Sequence, residues 1–347
     1  MIYENVELHG IEDVRRVKGQ DGVWLQRVPE SLRLKVNPGA QGAFRSPACA
    51  EVRFFCDGPA KVTLASENLT KVSVFFGCFG LAEVLTVGQE PSTLELAPAG
   101  NLPAADPKRF EAMPFNPKVF RLMLGGGAVR LISVEGKGIR PPRPDELPRL
   151  RLLTYGTSIT HGACATAPHL CYAAQTARRL GADLINLGVG GSCQCEKELA
   201  DYIAERKDWD AAVLALSVNM RGFKLDEYTK RLNYIVDRVA GANIERPVAC
   251  VTLWRFFGDL GPPWDNEPKV LSARVMRQVL RDAVAAAGHP NLHLIEGMEM
   301  LTDVGGLTPD LIHPADNGMI QMGENLARRL APLVASVTGR RGACAAG

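Results

Sequence analysis

The sequence predicts a mixed α/β protein in two parts, an all-β domain followed by a three-layer α/β/α domain around a parallel sheet. Short strand-like runs separated by Gly, Pro, Asn and Asp fill roughly the first 140 of the 347 residues. Strands and helices alternate through the rest of the chain. The segment 141–150, PPRPDELPRL, separates the two patterns, because proline continues neither a helix nor a central strand. We therefore expect a β-sandwich domain at 1–140, a proline-rich linker at 141–150 and an α/β domain at 151–340.

Composition narrows the function classes. Hydrophobic residues make up 46% of the chain and charged residues 22%, which fits a folded globular protein and excludes a disordered one. The formal net charge is +2 and no Lys/Arg run occurs, so we expect no nucleic-acid partner. No apolar stretch approaches the ~18 residues of a membrane span, so we expect no membrane association.

The N-terminus and the cysteines indicate a compartment. The first residues, MIYENVELHG, carry charges and lack the apolar core of a signal peptide. The nine cysteines are an odd number at irregular spacings, which fits free thiols in a reducing compartment better than a disulfide framework. We therefore expect a cytoplasmic protein.

The first part shows strand-like runs without helical periodicity. The runs are 51–57, 60–66, 71–77, 82–88 and 92–98. At 120–136, FRLML-GGG-AVRLISVEG predicts a hairpin that turns across three glycines. An all-β sandwich is therefore expected before the linker.

The second part alternates strands and helices. The predicted strands are 150–156, 182–188, 211–217, 247–254 and 291–297, and the predicted helices lie near 170–180, 196–207, 226–240, 270–287 and 317–337. Strands separated by helices form a parallel sheet with helices on both faces. Ligands of such sheets bind at the carboxyl ends of the strands, so the residues just after each strand are the candidates for a site.

Three of these strand ends carry polar or glycine-rich segments. Ser158 follows the first strand on a Gly turn, where it is either an exposed nucleophile or an ordinary helix N-cap. The glycines up to Gly191 follow the second strand and allow a ligand to approach the backbone closely. A dinucleotide-binding loop is the rival there, but Cys193 stands where its third glycine is needed. Asn219 follows the third strand and either donates from its amide or caps the next loop.

An acid and a histidine follow the fifth strand. Asp310 and His313 are three residues apart in a turn-like segment, where the carboxylate can orient the imidazole. Of the six histidines, His313 alone has a carboxylate three residues before it. His161 is closer to Ser158 in the sequence but has no neighbouring acid.

Together these segments resemble the four blocks of the SGNH or GDSL-type serine hydrolase superfamily, in the branch with a G-T-S-I-T first block and an N-terminal β domain. The resemblance covers roughly 150–337 and implies a flavodoxin-like α/β/α fold after a jelly-roll-like sandwich. It implies that Ser158 is the nucleophile and one oxyanion donor, and that Gly191 and Asn219 are the other donors. It further implies that His313 is the base, that Asp310 orients it, and that no metal or cofactor is needed.

The chain departs from the superfamily pattern at two places. Thr157 precedes the nucleophile where the superfamily has Asp, and the third block reads S-V-N-M, from Ser217 to Met220, in place of G-x-N-D. The nucleophile and the Asn are kept. The departures therefore bear on substrate and rate more than on the class of reaction.

Two further groups of residues have alternative interpretations. The loop after the fourth strand contains Trp254, Phe256 and Trp264, which we expect to line the substrate, with core packing under a lid as the alternative. A zinc site is conceivable among Cys164, Cys171, Cys193, Cys195, His161 and His169. Their spacings match no known zinc pattern, so we expect ordinary thiols and no metal.

The sequence thus predicts a serine esterase that removes a small acyl group, acetyl foremost, from a carbohydrate or related small molecule. The prediction of a carbohydrate substrate depends on the resemblance of the β domain to modules appended to carbohydrate esterases. An acyltransferase with the same triad is one alternative, and a catalytically decayed carbohydrate-binding protein is another. The sequence leaves the oligomeric state open.

Overall fold

The computed structural model of the chain describes residues 1–261 and 269–344, with the side chains of the last helix described as far as residue 335. The strands of the first part are β1 Ile2–Tyr3, β2 Val6–His9, β3 Asp13–Arg15, β4 Val23–Gln26, β5 Glu51–Phe55, β6 Ala60–Ser66, β7 Thr70–Phe76, β8 Phe79–Gly80, β9 Leu85–Val87, β10 Ser92–Leu96, β11 Val119–Leu124 and β12 Val129–Gly136. They form a seven-stranded sheet, ordered β1-β2-β5-β11-β7-β8 with β9 on β7, and a five-stranded sheet, ordered β10-β6-β12-β4-β3. All of these pairs are antiparallel, and one apolar core lies between the two sheets.

The hairpin predicted across the three glycines is wrong. β11 pairs with β5 and β7 in one sheet, whereas β12 pairs with β6 and β4 in the other, so the glycines carry the chain from one sheet to the other. A Cβ on Gly127 would lie 2.1 Å from the Thr70 Oγ1 atom, and one on Gly125 would lie 2.9 Å from the Lys71 carbonyl oxygen. Glycine is needed here because the crossing runs close against β7.

Two short helices, α1 Glu30–Arg33 and α2 Pro38–Ala43, interrupt the β part and were not predicted. They are too short to show a helical period in the sequence. Asn37 is the N-cap residue of α2, and its Oδ1 atom accepts a hydrogen bond from the Ala40 N–H at 3.1 Å. Their apolar side chains pack in the same core as residues of the second part, including Leu187 and Val189.

The second part is an α/β/α unit. Its strands are β13 Leu150–Gly156, β14 Ala182–Asn186, β15 Ala211–Ala215, β16 Val248–Val251 and β17 Leu292–Ile295, and its helices are α3 Ser158–His161, α4 Tyr172–Leu180, α5 Lys197–Glu205, α6 Leu225–Gly241, α7 Ala273–Ala287 and α8 Asp316–Cys344. The sheet is parallel in the order β14-β13-β15-β16-β17. Helices α5, α6 and α7 pack in one core, and α4 and α8 pack in the other. The predicted fold class is confirmed.

A buried ionic cluster joins the two parts near the start of β14. The Arg53 guanidinium donates to the Asp183 carboxylate at 2.9 Å and to Glu51 at 2.7 Å, and Arg121 donates to the other Glu51 oxygen at 2.6 Å. Burial alone would raise the pKa of Asp183, but the neighbouring Arg53 outweighs it and holds that pKa well below its usual range. The cluster therefore stays ionised at neutral pH.

Within the described parts of the chain, the longer helices all lack an apolar stretch sufficient to cross a membrane.

Candidate active site

Ser158 stands at the carboxyl end of β13, as the first residue of α3. The turn before it is tight, since a Cβ on Gly156 would lie 2.3 Å from the Thr160 Oγ1 atom and 2.7 Å from the Ala215 carbonyl oxygen. The helix ends after one turn, at Gly162, whose φ is +99°. The strand, the turn and the short helix thus leave the Ser158 side chain half-buried at the sheet edge.

The structure brings Ser158 and His313 together although they are 155 residues apart, with Ser158 Oγ and His313 Nε2 separated by 2.8 Å. On the other side of the ring, Nδ1 lies 2.7 Å from the Asp310 Oδ2 atom. A carboxylate only accepts hydrogen bonds, so Nδ1 is the ring nitrogen that carries the proton. Nε2 is then free to accept a proton from the Ser158 hydroxyl.

Asp310 is itself held by its own loop. Its Oδ1 atom accepts hydrogen bonds from the Ile312 N–H at 2.8 Å, from the His313 N–H at 2.9 Å and from the Thr308 hydroxyl at 2.8 Å. Partial burial raises the pKa of Asp310, but the hydrogen bonds from His313 and from the loop outweigh burial and hold that pKa well below its usual range. Asp310 is therefore an anion when it faces the imidazole.

Backbone and amide donors lie near Ser158. The Ser158 N–H is at the first position of a helix, where no helical carbonyl pairs with it. The segment 187–192 after β14, here called the glycine loop, passes beside this N–H, since a Cβ on Gly190 would lie 3.9 Å from the Ser158 Cβ atom. Gly191 follows with a φ of +67°, and a Cβ built on it would have no atom of the described residues within 4 Å. The Cys193 N–H donates to the Asn219 Oδ1 atom at 3.0 Å, which fixes that amide and leaves its Nδ2 group as the donor.

Ser217 has an unusual backbone conformation just before Asn219. Its φ is +126° and its ψ is −75°, a region essentially restricted to glycine. The side chain is fully buried. Because the superfamily pattern has glycine here, the departure S-V-N-M places a strained residue two positions before the Asn219 amide.

The aromatic residues expected to line the substrate are placed differently. Trp254 is 4% exposed and packs edge-on against Tyr172, with ring centroids 5.2 Å apart, while Phe256 is 3% exposed and lies in the opposite core. Arg277 donates to the carbonyls of Leu253, at 2.9 Å, and Trp254, at 3.0 Å, and so fixes this backbone against the helix layer. Both side chains are therefore packed in the core, which was the alternative to lining the substrate. Trp264 lies outside the described residues.

An apolar groove borders the Asp310 loop instead. Its volume is about 470 Å³, and it is lined by Phe257, Leu260, Gly261, Asp310, Leu311 and Ile312. Leu260 and Leu311 are 42% and 37% exposed, which is high for such large apolar side chains. The Phe257 N–H donates to the Leu311 carbonyl at 2.7 Å and so joins the two walls. One feature of the sequence is a sign of this groove, the apolar pair Leu311 and Ile312 between Asp310 and His313.

The cysteines and histidines weighed as a zinc site do not form one cluster. The Cys171 sulfur lies 3.3 Å from that of Cys49, and both are buried. Cys164 is exposed, and its sulfur, a carboxylate oxygen of Asp310 and a ring nitrogen of His313 lie within 4.8 Å of one another. Among the described residues this is the group that could hold a metal, and it includes the pair that faces Ser158.

His161 links the two parts of the protein. Its Nδ1 atom lies 3.1 Å from the Gly188 carbonyl oxygen, and its Nε2 atom lies 3.2 Å from the Ser46 hydroxyl. Burial, aided by the Arg27 charge, lowers the pKa of His161 to about 3. This ring is therefore neutral at physiological pH, and both of its nitrogens have hydrogen-bond partners.

The sequence profile of the GDSL-like Lipase/Acylhydrolase family matches residues 150–331, which is more than half of the chain. The chain belongs to this family. Membership confirms the predicted superfamily and the predicted class of enzyme, a GDSL-type ester hydrolase. No curated protein sequence matches the chain.

Solved structures share the fold over both parts. The salicylyl-acyltransferase SsfX3 from a tetracycline biosynthetic pathway is 17% identical, covers 95% of each chain and has a TM-score of 0.77. A putative GDSL-like lipase from Bacteroides ovatus is 18% identical, with a TM-score of 0.69 over 95% of this chain and 96% of that one. A family two carbohydrate esterase from Clostridium thermocellum, in complex with cellohexaose, is 15% identical, with a TM-score of 0.58 over 83% and 92% of the two chains.

Proposed function

We propose that the chain is a serine esterase that hydrolyses a small acyl ester, acetyl foremost, of a carbohydrate or related small molecule through an acyl-enzyme. One observation carries the proposal. Ser158 Oγ, His313 and Asp310 form a continuous chain of hydrogen bonds of 2.8 and 2.7 Å at the carboxyl edge of a parallel sheet. A hydroxyl is a weak nucleophile at neutral pH, and this arrangement supplies the base that it needs.

In the proposed mechanism, Ser158 Oγ bonds to the ester carbonyl carbon while His313 Nε2 takes the hydroxyl proton. Asp310 stabilises the resulting imidazolium. When the tetrahedral intermediate collapses, the bond to the alcohol oxygen breaks and His313 protonates that oxygen. A water molecule then attacks the acyl-enzyme by the same route, which releases the carboxylic acid and restores Ser158.

The carbonyl oxygen gains negative charge in both tetrahedral intermediates. The N–H groups of Ser158 and Gly191 and the Nδ2 group of Asn219 are the donors we propose for it. Each such donor is worth about 3 kcal/mol in a preorganised site. The hydrogen bond from Cys193 to the Asn219 Oδ1 atom supports this role, because it fixes the amide before substrate binds.

The proposed substrate class is supported by the likeness in fold to a family two carbohydrate esterase whose structure was solved in complex with cellohexaose. A second candidate, acyl transfer to an alcohol, is supported by the likeness to a salicylyl-acyltransferase over 95% of both chains. The apolar groove beside Asp310 also favours it, since an apolar acceptor bound there would exclude water from the acyl-enzyme.

Steady-state assays with p-nitrophenyl esters of increasing acyl length and with acetylated sugars test the proposal. Ser158→Ala should lower the rate by ~10⁴ or more. It should also abolish labelling by a fluorophosphonate, whereas Ser133→Ala, on strand β12 of the first part, should change neither the rate nor the labelling. A Ser158→Ala enzyme that keeps more than about a hundredth of the wild-type rate would contradict the nucleophile. Adding an acceptor alcohol and finding its ester as the main product would favour the transferase.

A further inference from the structure

Arg27 is a buried arginine in the first part of the chain, just after β4, and 1% of its surface is exposed. Among the described residues, its hydrogen bonds all end on backbone carbonyls. Two of these carbonyls belong to the end of α2 and the segment after it, Ala43 at 2.8 Å and Ser46 at 2.6 Å. The other two belong to the second part, Asn186 at 2.8 Å and Gly188 at 2.9 Å. Burial lowers the pKa of Arg27 to about 10, so it remains a cation at neutral pH.

The two carbonyls in the second part lie at the start of the glycine loop, which contains Gly191. A guanidinium is a planar fork with fixed donor directions, so four simultaneous bonds fix the relative positions of both segments. The Gly188 carbonyl also receives the Nδ1–H of His161 at 3.1 Å. This side of the loop is therefore anchored to the first part of the protein before Gly191 is reached.

The other side of the loop is anchored by α2. The Asn37 Nδ2 group donates to the Ser192 carbonyl at 3.0 Å. A Cβ on Gly39 would lie 2.0 Å from the Ser192 Oγ atom, so α2 packs directly on this residue. Gly191 lies between the two anchors and is exposed, and among the described residues no atom lies within 4 Å of the position that a Cβ would take. The anchored residues on both sides therefore constrain the direction of its N–H.

We propose that Arg27 is a positioning residue that, together with Asn37, holds the Gly191 N–H in place as an oxyanion donor from outside the α/β unit. The inference rests on the proposed function, because it assigns that N–H to the transition state. Donors aimed at developing charge act only while their geometry is fixed, and a displacement of ~1 Å can cost on the order of 10²-fold in rate. Loosening the anchors should thus lower kcat and leave KM nearly unchanged.

The test compares two buried arginines that contact opposite ends of β14. Arg27 and Arg53 are both buried and both bridge the two parts, but Arg27 bonds to Asn186 at the end of β14 and Arg53 bonds to Asp183 at its start. Arg27→Lys should lower kcat by ~10- to 100-fold, with KM within about threefold. It should weaken binding of a phosphonate transition-state analogue by the same factor as kcat/KM. Arg53→Lys should lower the melting temperature and leave kcat within about twofold.

Asn37→Ala keeps the test valid if Arg27→Lys does not fold, because Asn37 is only partly buried and the variant removes one anchor of the loop. It should lower kcat by ~10-fold, again without a matching rise in KM. If folded Arg27→Lys and Asn37→Ala keep wild-type kcat while Ser158→Ala is inactive, the positioning role is wrong and the proposed function stands. If Ser158→Ala is active, the proposed function itself fails. Equal losses of kcat in Arg27→Lys and Arg53→Lys would reduce the effect to general destabilisation and overturn the inference.

Discussion

Acid should destabilise the protein through His161, and replacing this residue should remove that part of the pH dependence. The Nδ1 atom of His161 faces a carbonyl, so it carries the proton and donates to Gly188. The Nε2 atom faces the Ser46 hydroxyl, and the Ser46 oxygen also accepts from the Gly127 N–H at 3.2 Å. The Ser46 hydroxyl proton therefore points at Nε2. The neutral ring satisfies every one of these groups, whereas a second ring proton would force the Ser46 hydroxyl to turn away from Nε2 and would place a positive charge in a buried site near Arg27.

The size of the effect follows from the two pKa values. The pKa of His161 is lowered to about 3 in the folded protein, and a histidine in an unfolded chain has a pKa near ~6.5. Between these values the unfolded state binds a proton that the folded state does not, so stability is present above pH ~6.5 and is lost as the pH falls. At ~1.4 kcal/mol per pH unit, lowering the pH from 7 to 5 should cost about 2 kcal/mol through this residue alone.

Urea unfolding at pH 7 and at pH 5 measures this loss in the wild type and in His161→Gln. Glutamine can donate to Gly188 and accept from Ser46 without titrating, so the variant should lose about 2 kcal/mol less than the wild type over this range. Burial and the neighbouring Arg53 also lower the pKa of His9, but His9 is present in both proteins and cancels in the difference. Identical losses in the two proteins would refute the idea that His161 is buried in the neutral form.

Three further substitutions have definite expected outcomes. Asp310→Asn should lower kcat on the order of 10⁴-fold because the amide favours the wrong imidazole tautomer, and a pH–rate profile with activity near that of the wild type would contradict this. Asn219→Ala should lower kcat by ~10²–10³ with little change in KM, as steady-state kinetics on an acetyl ester can show, and a change confined to KM would mean that the amide only binds substrate. Ser217→Gly should be ~1 kcal/mol or more stable than Ser217→Ala in urea unfolding, because both variants lack the hydroxyl and only glycine relieves the strain of a φ of +126°.

The sequence predicted the strands and the longer helices of the α/β unit well because local sequence patterns indicate each of them. The strand Leu150–Gly156 was predicted with its observed bounds, and the helix Leu225–Gly241 was predicted as 226–240. The approach of Ser158 to His313 was predictable for a related reason, since the carboxyl ends of parallel strands share one edge of the sheet. Periodicity therefore placed these residues after strands of one sheet, and the resemblance to the superfamily implied their roles in the proposed triad.

What the sequence missed depends on packing between distant segments. Nothing around Arg27 in the sequence indicates that its partners lie 159 and 161 residues away. The identity of Trp254 does not reveal whether its ring faces a substrate or the core, because that depends on how Arg277 holds the backbone. The three glycines predicted a tight turn, but whether the two strands then pair depends on the other strands of each sheet.

The shared core around α1 and α2 has a consequence for recombination within this family. Val28, Leu32 and Val36 lie before the proline-rich segment in the chain, yet they pack with residues of the α/β unit. A chimaera joined at 141–150 would pair these side chains with a surface that did not evolve with them, although the junction itself is the obvious place to cut. Exchanges that keep residues 27–46 together with their own α/β unit should preserve both folding and turnover. The segment that has to be exchanged as one piece in this fold is therefore discontinuous along the chain.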